Sequence, residues 1–253
     1  MNRDDLRRYI WITGYNLGQV EKDYFQHIIL GALSRNGAGS LVFKGGTALQ
    51  KTGVTTRFSE DLDFTMRAPA TLDSLKDTVA GTIRNYNYPV GANNFEESER
   101  SVSFRLKIEG PLFRNGRGAC TVRLEASRRE KVLLEPEMRE FAPPYVDVLP
   151  YILAVMRPDE MLAEKCRAVL TRQKARDLYD LHRLLEKGAR MDSALVDSKL
   201  EYYGMSFDID VFSEKCARLG PGWDRELGTL MMNPPSFDAV STAVRKALRQ
   251  RKK

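Results

Sequence analysis

The chain has 253 residues, 42% of them hydrophobic and 29% charged, which is enough apolar material for one large or two small globular domains. No run reaches the roughly 18 consecutive apolar residues of a membrane helix, and residues 1–8 are polar rather than the apolar core of a signal peptide, so a cytosolic protein with no membrane partner is expected. Cys120, Cys166 and Cys216 are odd in number, widely spaced and without a CxxC pair, and only His27 and His182 supply imidazole, which argues against a disulfide scaffold or a structural zinc site.

The net charge of +6 is unevenly distributed. Six basic residues (Arg245, Lys246, Arg249, Arg251, Lys252 and Lys253) fall in the last nine positions, which leaves 34 basic against 34 acidic groups in the rest of the chain. Within that neutral body, residues 100–131 hold nine basic residues against three acids. A basic midsection and a basic tail are solvated faces on one reading and phosphate-facing surfaces on the other.

In chain order, residues 17–35 carry Val20, Tyr24, Phe25, Ile28, Ile29 and Ala32 at helical spacing up to Asn36-Gly37. Leu41, Val42 and Phe43 predict a short strand running into Lys44-Gly45-Gly46, followed by one or two helical turns over 47–51. Residues 59–66 predict a returning strand and 71–86 a helix. Residues 101–108 and 119–127 alternate as strands around a Gly-rich turn at Arg114-Asn-Gly-Arg-Gly118. Pro143-Pro144 precedes a last apolar strand. From Pro158 the pattern is helical: 158–173, 176–187, shorter helices, and a final one near 237–250. The expected architecture is α+β, with a mixed domain over 1–155 and a helical domain over 156–253.

The segment Ser59-Glu-Asp-Leu-Asp-Phe64 carries the clearest chemistry. On a strand, Asp61 and Asp63 share one face and Leu62 and Phe64 the other. Two carboxylates about 7 Å apart repel unless a cation lies between them, and oxygen-only ligation suits Mg²⁺. An isolated Asp-x-Asp is most often a pair of solvated acids on an edge strand, and the neighbouring segments tip the reading toward a metal site. Upstream, Gly45-Gly46-Thr47 joins a strand to a helix, where bare backbone N–H groups admit a phosphate and Thr47 adds a hydroxyl. A phosphate cradle facing a carboxylate pair is a layout for nucleotidyl transfer through two-metal chemistry. Glu125, on the strand 121–126, is the candidate third metal ligand beside Asp61 and Asp63; it is equally placed to pair with Arg123 or Arg128.

A second constellation follows in Arg157-Pro-Asp-Glu-Met-Leu-Ala-Glu-Lys165 and Lys174-Ala-Arg-Asp-Leu-Tyr-Asp180. Lys165 is suited to neutralise phosphate charge or to pair with an acid one turn away. Arg176 and Asp180 are spaced for an i, i+4 pair, and Asp177 is placed to cap or serve the next helix.

Together these segments are similar to the four motifs of the AbiEii/AbiGii nucleotidyltransferase toxin family. They are Phe43-Lys-Gly-Gly-Thr-Ala-Leu49, Arg57-Phe-Ser-Glu-Asp-Leu-Asp-Phe64, Glu160 with Lys165, and Arg176-Asp-Leu-Tyr-Asp180, in the family's order between about residues 20 and 185. The resemblance implies a polymerase-beta-like nucleotidyltransferase domain followed by a helical C-terminal domain that contributes active-site residues. It implies the toxin of a toxin–antitoxin pair, with a cognate antitoxin protein as partner, moving a nucleoside monophosphate from NTP onto the 3′ acceptor end of tRNA and so inhibiting translation. By motif, Asp61 and Asp63 would hold Mg²⁺, and Gly45, Gly46, Thr47 and Arg176 would contact the nucleotide. Lys165 would bind phosphate, and Asp180 and Asp177 would complete the catalytic set. Thr47 stands where the wider superfamily has Ser. A protein hydroxyl as acceptor (AMPylation), or an idle NTP-binding or partner-binding module, are the alternatives.

Overall fold

Strands β4 (Ser101–Ile108) and β5 (Cys120–Ser127) set the character of the sheet, because their side chains alternate between burial and solvent along β5 and from Phe104 onward in β4. Val102, Phe104, Leu106, Val122, Leu124 and Ala126 are fully buried, whereas Arg105, Lys107 and Thr121 are exposed. A computed structural model describes residues 1–36, 40–67 and 72–250. It divides into one unit of Met1–Ala48, Glu60–Val132 and Pro136–Val155, and another of Leu49–Ser59, Leu133–Glu135 and Met156–Lys253.

The first unit holds a seven-stranded mixed sheet. To β4 and β5 are added β1 (Leu41–Lys44), β2 (Leu62–Met66), β3 (Val90–Glu97), β6 (Glu137–Phe141) and β7 (Tyr151–Val155), in the order β3-β4-β5-β2-β1-β7-β6. β2 pairs with β5, and β1 with β7, in parallel; the other neighbours are antiparallel. Helices α1 (Arg3–Thr13), α2 (Leu17–Asn36) and α4 (Leu72–Asn85) accompany the sheet, and α3 (Gly45–Lys51) follows β1 without a linker. α2 packs on α1, α4, β5 and β7, and α4 packs on β3 and β4. This covers the apolar face and leaves the other for polar residues. Besides the apolar residues expected at its core, α2 buries Glu21, Asp23 and Gln26. Each has a partner: Glu21 accepts the Leu112 N–H at 2.7 Å, Asp23 accepts the Tyr145 hydroxyl at 2.8 Å, and Gln26 donates to the Glu60 carbonyl at 3.0 Å.

The strand expected over 59–66 begins only at Leu62. Side chains take the backbone groups that a ladder would use: Gln50 accepts the Ser59 N–H at 2.7 Å, Gln26 binds the Glu60 carbonyl, and the Thr47 hydroxyl binds the Asp61 carbonyl. Three elements have no counterpart in the sequence reading: α1, which Asn2 and Asp5 open with reciprocal capping bonds, and strands β3 and β6. The expected helix end at Gly37 and helix start at Thr71, and the tail residues Arg251, Lys252 and Lys253, lie outside the described residues. Among those described, no helix is long and apolar enough to cross a membrane.

The second unit is helical. α5 (Pro158–Thr171) packs against α6 (Ala175–Glu186), α7 (Ser193–Glu201) and α8 (Ile209–Ala217); α9 (Trp223–Leu227) packs on α6, and α10 (Phe237–Gln250) on α6 and α8. α6 has no cap from its own flank. Glu226 of α9 accepts the Ala175 N–H at 3.0 Å and satisfies that end. Glu160, fully buried on α5, accepts the N–H groups of Leu133 and Leu134 at 2.9 Å each and receives the Lys199 ammonium at 2.6 Å. One carboxylate thus fixes the short 133–135 segment to α5 and α7. Glu160→Ala removes the 2.6 Å partner of the buried Lys199 and the acceptor of two N–H groups, and is expected to cost about 3–5 kcal/mol. Urea denaturation monitored by circular dichroism checks the loss, and Glu160→Gln, which keeps an acceptor for the two N–H groups, should lose less.

Candidate functional site

The residues singled out in the sequence form two constellations, one in each unit. In the first, β1 passes directly into α3 at Gly45, whose φ is +75°. A Cβ at this position would lie 2.4 Å from Asp63 Oδ2 and 2.9 Å from Asp63 Cβ. Only glycine combines this backbone conformation with such a close approach, so the Asp63 carboxylate rests on the bare turn between strand and helix. Gly46 and Thr47 are buried in the first turn of α3. The Thr47 hydroxyl donates to the Asp61 carbonyl, so it holds the chain carrying Asp61 to the phosphate-type turn.

Asp61 is exposed just before β2, and Asp63 is half-buried within it. Leu62 and Phe64 point into the core, as the alternation requires. The ladders then build a row across the polar face: Lys44 of β1 is opposite Asp63, Asp63 is opposite Glu125 of β5, and Glu125 is opposite Ser103 of β4. Register therefore brings Glu125 beside Asp63. Its carboxylate, however, is ion-paired with Arg123 at 2.9 Å rather than turned to the two aspartates. Among the described residues no group of three or more His, Cys, Asp or Glu side chains is arranged to hold a metal ion. Lys44 at the end of the row is buried, and its ammonium meets the buried Glu130 at 2.7 Å.

The second constellation is closed. Lys165 on α5 contacts Asp177 at 2.9 Å and Asp180 at 2.7 Å on α6. Arg57 grips Asp180 with two bonds of 2.6 Å, and Arg172 grips Asp177 at 2.7 and 2.9 Å. Asp177 and Asp180 are fully buried, Lys165 is 7% exposed and Arg57 2%. Burial would push both carboxyls up, but Lys165 and Arg172 hold Asp177 below the usual carboxylate range, and Arg57 and Lys165 do the same for Asp180. The expected Arg176–Asp180 pair gives way to this arrangement, because the bidentate Arg57 bond and Lys165 occupy the Asp180 oxygens. Arg176 is half-buried, with its N–H facing Glu226 at 3.4 Å. Arg57 and Arg172 are the members that sequence reasoning passed over. Arg57 stands in the same motif as the aspartates, but its partner is 123 residues away, beyond any local spacing rule.

The first constellation is thus a strand running into a glycine-bearing helix turn, with a carboxylate of the next strand laid over it. The family model described as the AbiEii nucleotidyltransferase toxin of type IV toxin–antitoxin systems matches residues 29–248, and the chain belongs to that family. It is thus a nucleotidyltransferase toxin, with an NTP substrate and a cognate antitoxin. Among solved structures, MenT4, a nucleotidyltransferase toxin from Mycobacterium tuberculosis H37Rv, is similar with a TM-score of 0.69 and 22% identity over 98% of this chain and 88% of its own. JHP933 from Helicobacter pylori is similar with a TM-score of 0.57 and 19% identity over 92% of this chain and 90% of its own. At these identities the likeness bears on the fold. No curated protein sequence matches the chain.

Gly45→Ala is expected to cost about 1–3 kcal/mol in denaturant unfolding and to displace the Asp63 carboxylate, since both the positive φ and the 2.4 Å approach oppose a methyl group. The acid dependence of stability has a fixed sign. Asp177 and Asp180 are depressed in the folded state, so their stabilisation is complete above the unfolded carboxyl range, near pH 4, and is lost as pH falls through the folded values. Melting temperature should therefore drop steeply below about pH 4. Asp180→Asn, less stable at neutral pH because Arg57 loses its counter-charge, should show a shallower acid decline in the same scan.

Proposed function

We propose that this toxin transfers a nucleoside monophosphate from NTP to the 3′ end of an RNA, with tRNA as the acceptor, and thereby inhibits translation in the cytoplasm. The observation that carries the reading is the Asp63 carboxylate lying over the Gly45 turn, which puts an anion-binding backbone and a cation-binding side chain side by side. Asp61 and Asp63 fit a hard divalent cation such as Mg²⁺. Both donors are carboxylate oxygens, and Mg²⁺ is commonly held by one or two carboxylates together with substrate phosphates. When bound, such an ion supplies neutralisation of the triphosphate and a lower pKa for the attacking hydroxyl.

The chain's own residues do the rest. The backbone from Gly45 to Thr47 binds and orients the triphosphate, and the Thr47 hydroxyl keeps Asp61 in place through its carbonyl. Glu125, adjacent to Asp63 in register, is the further carboxylate available once Arg123 releases it. Phosphate binding by Lys165 and Arg176, and a catalytic part for Asp177 and Asp180, is supported by the charge that this cluster gathers. Arg57, Lys165 and Arg172 converge on the two aspartates and bring three cations together there. We assign the transferase domain to residues 1–155 and the helical domain to 156–253.

The test is incubation of the purified protein with Mg²⁺, total tRNA and each labelled NTP in turn, scoring label on RNA and on protein separately. Label on RNA that falls at least a hundredfold in Asp63→Asn, with unfolding unchanged to within about 1 kcal/mol, is the expected result. Label on protein alone would replace the RNA acceptor by a protein hydroxyl, and undiminished turnover in Asp63→Asn would remove the aspartates from the reaction.

A further inference from the structure

The polar face of the sheet continues past the carboxylate row. Two residues beyond Ser103 and Glu125, the ladder pairs Arg105 with Arg123, and two residues further it pairs Lys107 with Thr121. Successive rows on one face are about 7 Å apart, so a line of cations begins one row from Asp63. It leads toward the turn that joins β4 to β5, where Arg114 and Arg117 are exposed on either side of Asn115 and Gly116. Arg105, Lys107, Arg114 and Arg117 are all exposed, and among the described residues none of the four side chains enters an ion pair or a hydrogen bond.

Three neighbours in the basic midsection differ: Arg123 is held by Glu125, Arg128 by Glu97 at 2.6 Å, and Arg129 faces Glu130. The turn that carries the line is anchored. Leu112 donates to Glu21 at 2.7 Å, and Gly110 sits so close to Phe25 that a Cβ there would meet the ring at 2.5 Å. On α10, by contrast, Arg245 is bound to the Ser241 carbonyl at 3.2 Å and Arg249 lies 3.9 Å from Asp210. Arg105, Lys107, Arg114 and Arg117 thus form a line of unmatched cations aligned with the carboxylates on an anchored platform. Cations in sequence along a strand complement a regularly spaced polyanion, which a phosphodiester chain is and a folded protein acceptor is not.

We propose that the outer face of β4 and β5, with Arg105, Lys107 and Arg123 continuing to Arg114 and Arg117, is the track on which the acceptor RNA lays its backbone as its 3′ hydroxyl reaches Asp61 and Asp63. The assignment rests on the nucleotidyl-transfer reading above and names the surface that serves it. It also gives the Arg123–Glu125 pair a role: a phosphate on Arg123 competes with Glu125 and frees that carboxylate beside Asp63.

The test uses the full chain with total tRNA and the NTP that gives transfer, comparing wild type, Arg105→Ala/Lys107→Ala and the charge-matched Lys246→Ala/Arg249→Ala on α10. Binding is followed by fluorescence anisotropy over a salt series, and transfer by label on RNA. All four substitutions are at exposed positions or on the solvent side of α10, and circular dichroism melts establish that the variants fold. The expected result is a rise of about tenfold or more in KM for RNA in the β4 variant, with the KM for NTP unchanged and the slope of log K against log salt shallower by about 1.4, the loss of two phosphate contacts. The α10 variant should match wild type. Normal RNA binding in the β4 variant, or a loss confined to the α10 variant, overturns the track while leaving nucleotidyl transfer intact. Label confined to protein, with no salt-dependent RNA binding by wild type, overturns the RNA acceptor and the track together.

Discussion

The approach of Asp63 to Gly45 is the constraint from which the geometry of the first unit follows. A carboxylate oxygen occupies the place of a side chain at residue 45, so the chain there can be only backbone, and its φ of +75° turns β1 into α3 without a linker. An immediate start to α3 puts Thr47 within reach of the Asp61 carbonyl. That bond, with those from Gln50 and Gln26, withdraws residues 59–61 from the ladder. Asp61 is thereby left exposed at the strand's entrance while Asp63 is fixed within it. The two carboxylates are positioned by backbone geometry, which leaves their oxygens facing the polar side of the sheet.

The second unit treats charge in the opposite way. Lys165, Asp177, Asp180 and Arg57 are withdrawn from water, and their desolvation is offset because every carboxylate meets two cations in good geometry. Removing one member strands the others, which makes the cluster stiff. The same holds for Glu160, Glu164 and Lys199, which tie α5 to α7 and hold the 133–135 segment. Solvent reaches the acids beside the bare backbone of the first unit, whereas the ion pairs of the second are buried and also fix α5 against α6. This contrast explains why motif residues of similar type in the two units have such different environments.

Much of this was legible in the sequence. Alternation announced β4 and β5, the apolar spacing from Val20 to Ala32 announced α2, and Pro158 with its acidic followers announced α5. β3 was not legible: Gly91, Ala92, Asn93 and Asn94 are exposed at the sheet edge, so no buried face leaves a pattern. α1 carried a readable signal in Asn2 and Asp5, whose spacing is that of a capping box. At the site, the kinship of Gly45 with Asp63 was visible as a motif, and its physical reason, a clash of Cβ with carboxylate, was not. The Arg176–Asp180 spacing pointed to the wrong pair because a surface i, i+4 bridge is worth only about 0.3–0.5 kcal/mol, too little to compete with a buried bidentate arginine from distant sequence.

Net charge gave the least guidance, and the structure explains why. Arg57, Lys165, Lys199 and Lys44 are buried against Asp177, Asp180, Glu160, Glu164 and Glu130, so a large part of the neutral count describes pairs that solvent does not meet. What an approaching polyanion meets is the residue of that pairing, and on the β4–β5 face the residue is unmatched cation beside exposed carboxylate. A face that is positive along its length and negative at one end attracts a phosphodiester chain, and requires a counter-ion where the chain terminates. On the proposed track, electrostatics of this kind separate holding the acceptor, the part of Arg105 and Lys107, from activating its end, the part proposed for Asp61 and Asp63.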